Sequence, residues 1–114
     1  MNILDTDVVV ELIRNGRYEA GDISIITLIE VLRGLDPEKE GKVKELLEKS
    51  FNVLNLNNDI VRTYCRLYRG LREKGEALPD ADLIIAATAM THNVPLKSRD
   101  EHFVRLEEYG LIIA

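Results

Sequence analysis

The chain has 114 residues, enough for one domain with a sizeable core and too few for two. Its make-up, 46% hydrophobic and 31% charged with a net charge of −5, is that of a folded globular protein and argues against one that coats nucleic acid by bulk positive charge. No apolar run approaches the length of a membrane span, the opening "MNILDTDVVV" lacks a basic region ahead of an apolar one, and the single cysteine, Cys65, excludes an internal disulfide or a cysteine zinc site.

A cytoplasmic protein without membrane contact is therefore expected. Short apolar runs alternate with helical patterns along it. "NIL" (2–4) reads as a strand, followed by the helical "DVVVELIRNG" stopping near Gly16. "ISII" (23–26) is the second strand, and "TLIEVLRG", ended by Gly34, the second helix. Asp36-Pro37 supplies an N-cap and a proline at the first helical position for "EKEGKVKELLEKS". "FNVLNL" (51–56) is strand-like. "NND" (57–59) offers caps for a long amphipathic helix to about Lys74, with Gly75 just beyond. "DADLIIAATA" (80–89) opens a helix, apolar on every side, that runs to about Asn93. "PLKS" (95–98) reads as a strand, "DEHFVRLEEYG" as a helix and "LIIA" as a last strand. About five strands separated by helices predict an α/β domain over residues 1–114, three layers deep, with a central parallel sheet.

The acids fall at one edge of that sheet. Asp5 follows the first strand, Glu30 lies at the start of the helix after the second, Asp82 in the first turn of the buried helix, and Asp100 two residues after "PLKS". Carboxyl ends of strands and amino ends of helices share the edge where open α/β folds bind ligands. Four carboxylates gathered there repel one another and raise each other's pKa. A divalent cation removes the conflict, and hard oxygen ligands suit Mg²⁺ or Mn²⁺. Each acid also has a plain structural reading. Thr27-x-x-Glu30 and Ser98-x-x-Glu101 match capping boxes, and Asp7, Asp80 and Asp100 could cap helices. Capping does not account for Asp5 at an apolar junction, nor for Asp82 beside Asp80.

"ILDTDVVV", "ISIITLIEVLRG", "LPDADLIIAATA" and "LKSRDEHF" resemble, in this order, the conserved blocks of the PIN domain, in particular of VapC-type toxins of prokaryotic toxin–antitoxin pairs. The resemblance implies a three-layer α/β/α fold and a metal-dependent endoribonuclease. It places the catalytic and metal-binding acids on Asp5, Glu30, Asp82 and Asp100, with Thr6, Ser98 and Asp80 in support. It also implies a small VapB-like antitoxin partner and a homodimer. Lys97 departs from the pattern, because relatives usually carry an apolar strand residue there.

RNA requires positive charge near such a site. Arg62, Arg66 and Arg69 form one stripe of the helix 59–74, opposite Ile60, Tyr64, Leu67 and Leu71, and Arg99 lies beside Asp100. These four arginines are candidate phosphate contacts; the stripe also reads as an ordinary solvated face. Arg14 and Arg33 could meet acidic groups of a partner. His92 and His102 read as surface or helix-end residues, and Cys65 as an inert, partly buried thiol. Two further readings stay open: a PIN nuclease of RNA maturation or decay without an antitoxin, and a binding module whose acids are only caps.

Overall fold

The computed structural model describes residues 1–114. Its elements are β1 (Ile3–Leu4), α1 (Thr6–Arg14), β2 (Asp22–Ser24), α2 (Ile25–Arg33), α3 (Pro37–Ser50), β3 (Asn52–Leu54), α4 (Asn58–Glu73), α5 (Asp80–Thr91), β4 (Leu96–Lys97) and a 3₁₀ helix over Glu101–Tyr109. All strand pairs are parallel, in the order β3-β2-β1-β4. The sheet thus has four strands. The expected fifth, "LIIA", meets β4 at one bridge, Leu96 to Ile113, held by Leu96 N–H donating to Ile112 O at 2.8 Å and Ala114 N–H to Leu96 O at 2.9 Å. β4 is two residues long, so the last segment has too little edge to extend along.

Adjacent residues of β1 serve opposite faces, as the two-residue period of a strand requires. Ile3 packs with Ile60, Leu67, Leu71, Leu83, Leu96 and Phe103, the layer of α4, α5 and the 3₁₀ helix. Leu4 packs with Val8, Val9, Ile23, Leu28, Val31 and Leu47, the layer of α1, α2 and α3. Both are fully buried, each contributing about 1.5–3 kcal/mol. The amphipathic α4 faces the core with Ile60, Leu67 and Leu71. Against α4 packs α5, which buries Leu83, Ile85, Ala86, Ala87, Thr88 and Ala89. Thr88, the one polar residue of that set, donates its hydroxyl to Ile84 O at 2.7 Å, so no polar group is stranded.

The chain punctuation follows local chemistry. Gly16 takes φ +61°, the left-handed conformation that ends α1. Asn57 Oδ1 accepts from Ile60 N at 2.9 Å and caps α4. α2 begins earlier than its sequence suggests, capped by Ser24, whose Oγ accepts from Ile26 N at 3.0 Å. Thr27-x-x-Glu30 is therefore no capping box, and Glu30 sits in the second turn. α3 buries only Leu47 and is carried on its surface by Lys44–Glu48 and Glu45–Lys49 ion pairs. Gly41 interrupts it where an added Cβ would meet nothing within 4 Å. Gly41→Ala should accordingly raise unfolding free energy by about 1 kcal/mol in urea titration.

Candidate active site

The strand order reverses at β1: successive strands run outward through β2 and β3, then β4 returns to the other side of β1. Ligand crevices of open α/β sheets form at such points, outside the carboxyl ends. Here an open cleft of about 820 Å³ occupies that place. Asp5, Thr6, Asp7, Glu11, Glu30, Asp82, Asp100, Arg14, Asn15 and Arg99 line it, and Val10 is its one apolar wall. Six carboxylates face two guanidinium groups, so acid dominates the cleft.

Asp5 leaves β1 as the N-cap of α1 and is 5% exposed. Its Oδ1 accepts from Thr6 N at 2.8 Å and its Oδ2 from the Ser98 hydroxyl at 2.7 Å, across from the end of β4. Burial pushes its carboxyl up to about 7, against the lowering effect of Ser98 and with a further rise from the Asp7 charge. The Ser98 bond is thus one of two donors to a buried acid. Removing it with Ser98→Ala should cost about 1.5–3 kcal/mol above pH 7, where Asp5 is ionised, as read by chemical denaturation.

Glu30 is tied by its Oε1 to the Thr6 hydroxyl at 2.7 Å. Thr6 Oγ1 also lies 3.0 Å from the hydroxyl of the fully buried Thr27. Because the Thr6 proton is committed to the carboxylate, Thr27 donates to Thr6. The other oxygen, Oε2, lies 3.6 Å from Arg33 Nη2. Asp82, half-buried in the first turn of α5, has its pKa raised, first by burial and then by the charges of Asp100, Glu30 and Asp7, with His102 acting in the opposite sense. Asp100 caps the 3₁₀ helix: its Oδ1 accepts from His102 N at 2.9 Å and lies 2.8 Å from His102 Nδ1.

The four acids singled out in the sequence therefore face one space, with Thr6 and Ser98 bonded to two of them. Asp80 is turned elsewhere. Its Oδ1 accepts from the Tyr64 hydroxyl at 2.6 Å, a bond that pushes the phenol up to about 12, and it does not line the cleft. Arg99 lines the cleft and donates from Nη2 to Glu11 Oε1 at 2.6 Å. Arg62, Arg66 and Arg69 are exposed on α4 outside it, Arg66 donating to Tyr109 O at 3.3 Å. Cys65 is a partly buried free thiol and His92 ends α5. Asp7, Glu11 and Arg14 escaped the sequence reading as cleft residues. Their spacing of four and three puts them on one stripe of α1, which was the available signal.

The donor set suits a hard divalent cation: oxygen alone, from carboxylates whose charges act on one another. No three acids are drawn into a ready-made coordination shell.

Fold and site together define a class: a parallel α/β domain with an acid-lined cleft where its strand order reverses. Residues 3–109 match the PIN domain, and the chain belongs to the PIN domain family. It is 36% identical to Ribonuclease VapC1 of Methanocaldococcus jannaschii, over 97% of this chain and 85% of that one. Its fold resembles the VapBC-1 structure from nontypeable Haemophilus influenzae, with a TM-score of 0.85, 25% identity and coverage of 99% and 96% of the two chains. It also resembles VapBC-5 of Mycobacterium tuberculosis, a member of the VapBC family of toxin-antitoxin systems, with a TM-score of 0.72, 25% identity and coverage of 99% and 98%. No helix of the chain is long and apolar enough to cross a membrane.

Proposed function

We infer that this chain is an endoribonuclease, the toxin of a VapBC-type toxin–antitoxin pair, acting as one PIN domain over residues 1–114 in the cytoplasm. The observation that carries this reading is the convergence of Asp5, Glu30, Asp82 and Asp100 on one cleft, together with the VapC relatives. Asp5, Asp82, Asp100 and Glu30 would hold Mg²⁺ or Mn²⁺. When bound, the ion supplies Lewis-acid activation of water and neutralises charge on the phosphate.

The chain's own groups do the rest. Thr6 N and Ser98 fix both oxygens of Asp5, so its orientation is set before any ligand arrives. Thr6 and Thr27 hold Glu30 by one oxygen, and the other, which shares a 3.6 Å ion pair with the exposed Arg33, would orient the attacking water. Arg99 and Arg14, on the cleft wall, offer positive charge to the phosphate oxygens. The three arginines of α4 are a more distant contact for the RNA strand. A VapB-like antitoxin and a second copy of the chain are the protein partners of this reading, supported by likeness to the VapBC structures.

Cleavage of labelled RNA in Mg²⁺, Mn²⁺ and EDTA tests it. Cuts that need either metal and vanish in EDTA are the expected result. Metal-independent cleavage, or none under any condition, would overturn it.

A further inference from the structure

Lys97 ends β4, and its surroundings give it a use. Its register partner is Leu4, so its side chain leaves the sheet on the α1 face. On that face α1, α2 and α3 cover β1 to β3, whereas the 3₁₀ helix after β4 packs into the opposite layer through Phe103 and Leu106. The strip between α1 and β4 is left as a second cleft of about 200 Å³. Arg17, Lys97 and Arg99 line it, with Glu11 and Glu19. Glu11 and Arg99 line the acidic cleft as well, so the two spaces are continuous. Their charge balance is opposite: acid dominates the first, and three cations face two carboxylates in the second.

We propose that this strip is a phosphate subsite that holds the RNA backbone beside the bond being cut. The proposal rests on the ribonuclease reading above. Two of its cations are paired, Lys97 Nζ 2.6 Å from Glu19 Oε1 and Arg99 Nη2 2.6 Å from Glu11 Oε1, and Arg17 makes none of the chain's ion pairs. Exposed ion pairs of this kind are weak and readily exchanged. A phosphodiester presents two oxygens that replace a carboxylate on lysine or arginine. Glu19 and Glu11 thus keep Lys97 and Arg99 extended while competing with the RNA. The consequence is a pattern of opposite signs: removing a cation weakens RNA binding, and removing Glu19 strengthens it.

The experiment is fluorescence anisotropy of a labelled single-stranded RNA with Mg²⁺, on an Asp82→Asn background in which cleavage is slow on the timescale of the titration, beside cleavage of the same RNA by the unaltered protein. Lys97→Met and Arg17→Gln should each raise Kd by about three- to tenfold and flatten the dependence of log Kd on log salt by about 0.7. Glu19→Gln should lower Kd several-fold, whereas Glu48→Gln on the distant α3 should not change it. Melting temperatures verify that each variant is folded. If the unaltered protein cleaves RNA but Lys97→Met and Arg17→Gln keep Kd and salt slope, or Glu19→Gln binds no tighter than Glu48→Gln, the subsite is wrong and the ribonuclease reading stands. If the protein neither binds nor cleaves RNA, both fall.

Discussion

Asp82→Asn is expected to lower RNA cleavage by about a hundredfold or more while the metal-free protein remains folded and melts at a higher temperature. Asp82 lies half-buried at the start of α5, its pKa raised by burial and by Asp100, Glu30 and Asp7. Asparagine keeps the shape and removes the charge. Without a cation, that relieves repulsion among the acids, and the gain in stability follows. With a cation held as proposed, one hard anionic ligand would be lost. A loss of about 3 kcal/mol of transition-state stabilisation corresponds to roughly a hundredfold in rate. Initial rates at saturating Mg²⁺ and melting curves in EDTA measure the two halves separately. An Asp82→Asn protein that cleaves at the original rate would remove Asp82 from the ligand set.

The second large effect is on stability as a function of pH. Asp5 titrates at about 7 in the folded chain against a reference of 3.8. Between these values the folded protein holds a proton that the unfolded chain has released. Metal-free stability should therefore fall as pH rises from about 4 to about 7 and level off above, by at most roughly 4 kcal/mol from this group. The usual behaviour of a paired carboxylate is the reverse, a gain across the acid range. Asp5→Asn should flatten this fall, and saturating Mn²⁺ should oppose it at pH 8 by stabilising the ionised form. Urea midpoints in EDTA at pH 5, 6, 7 and 8 would show the trend. A wild-type midpoint that rises through this range in EDTA would contradict it.

The sequence carried most of the fold because its punctuation is local. Asn57 capping α4, Pro37 at the first position of α3 (where Asp36 takes the N-cap place without a side-chain bond) and a glycine ending α1 are chemistry written within a few residues. It misjudged what depends on distant partners. "LIIA" has strand composition, but strand length is set by the neighbour, and β4 offers two residues. Thr27-x-x-Glu30 has the spacing of a capping box, yet Ser24 starts the helix a turn earlier, and Thr27 supports Glu30 through Thr6 instead. For Asp80, adjacency to Asp82 suggested a shared task, whereas a step of two along a helix turns side chains by some 200°, and Asp80 meets Tyr64 on α4.

The view that the acids are only caps fits part of the chain. Asp5 caps α1 and Asp100 caps the 3₁₀ helix, each accepting a backbone N–H. Glu30 does not: its carboxylate is met by the Thr6 hydroxyl and Arg33. Asp82 has a raised pKa, the opposite of what donors around a carboxylate produce. Structural roles for two of the acids leave the crowding of the other two to be explained.

The most direct measurement is titration of the metal-free protein with Mn²⁺ at pH 8, followed by calorimetry and by melting temperature. Saturable uptake that raises the melting point, and that Asp5→Asn and Asp82→Asn each weaken at least tenfold, is what these clustered oxygens require. An unaltered melting curve at millimolar Mn²⁺, or equal uptake by both variants, would mean that no ion is shared among them.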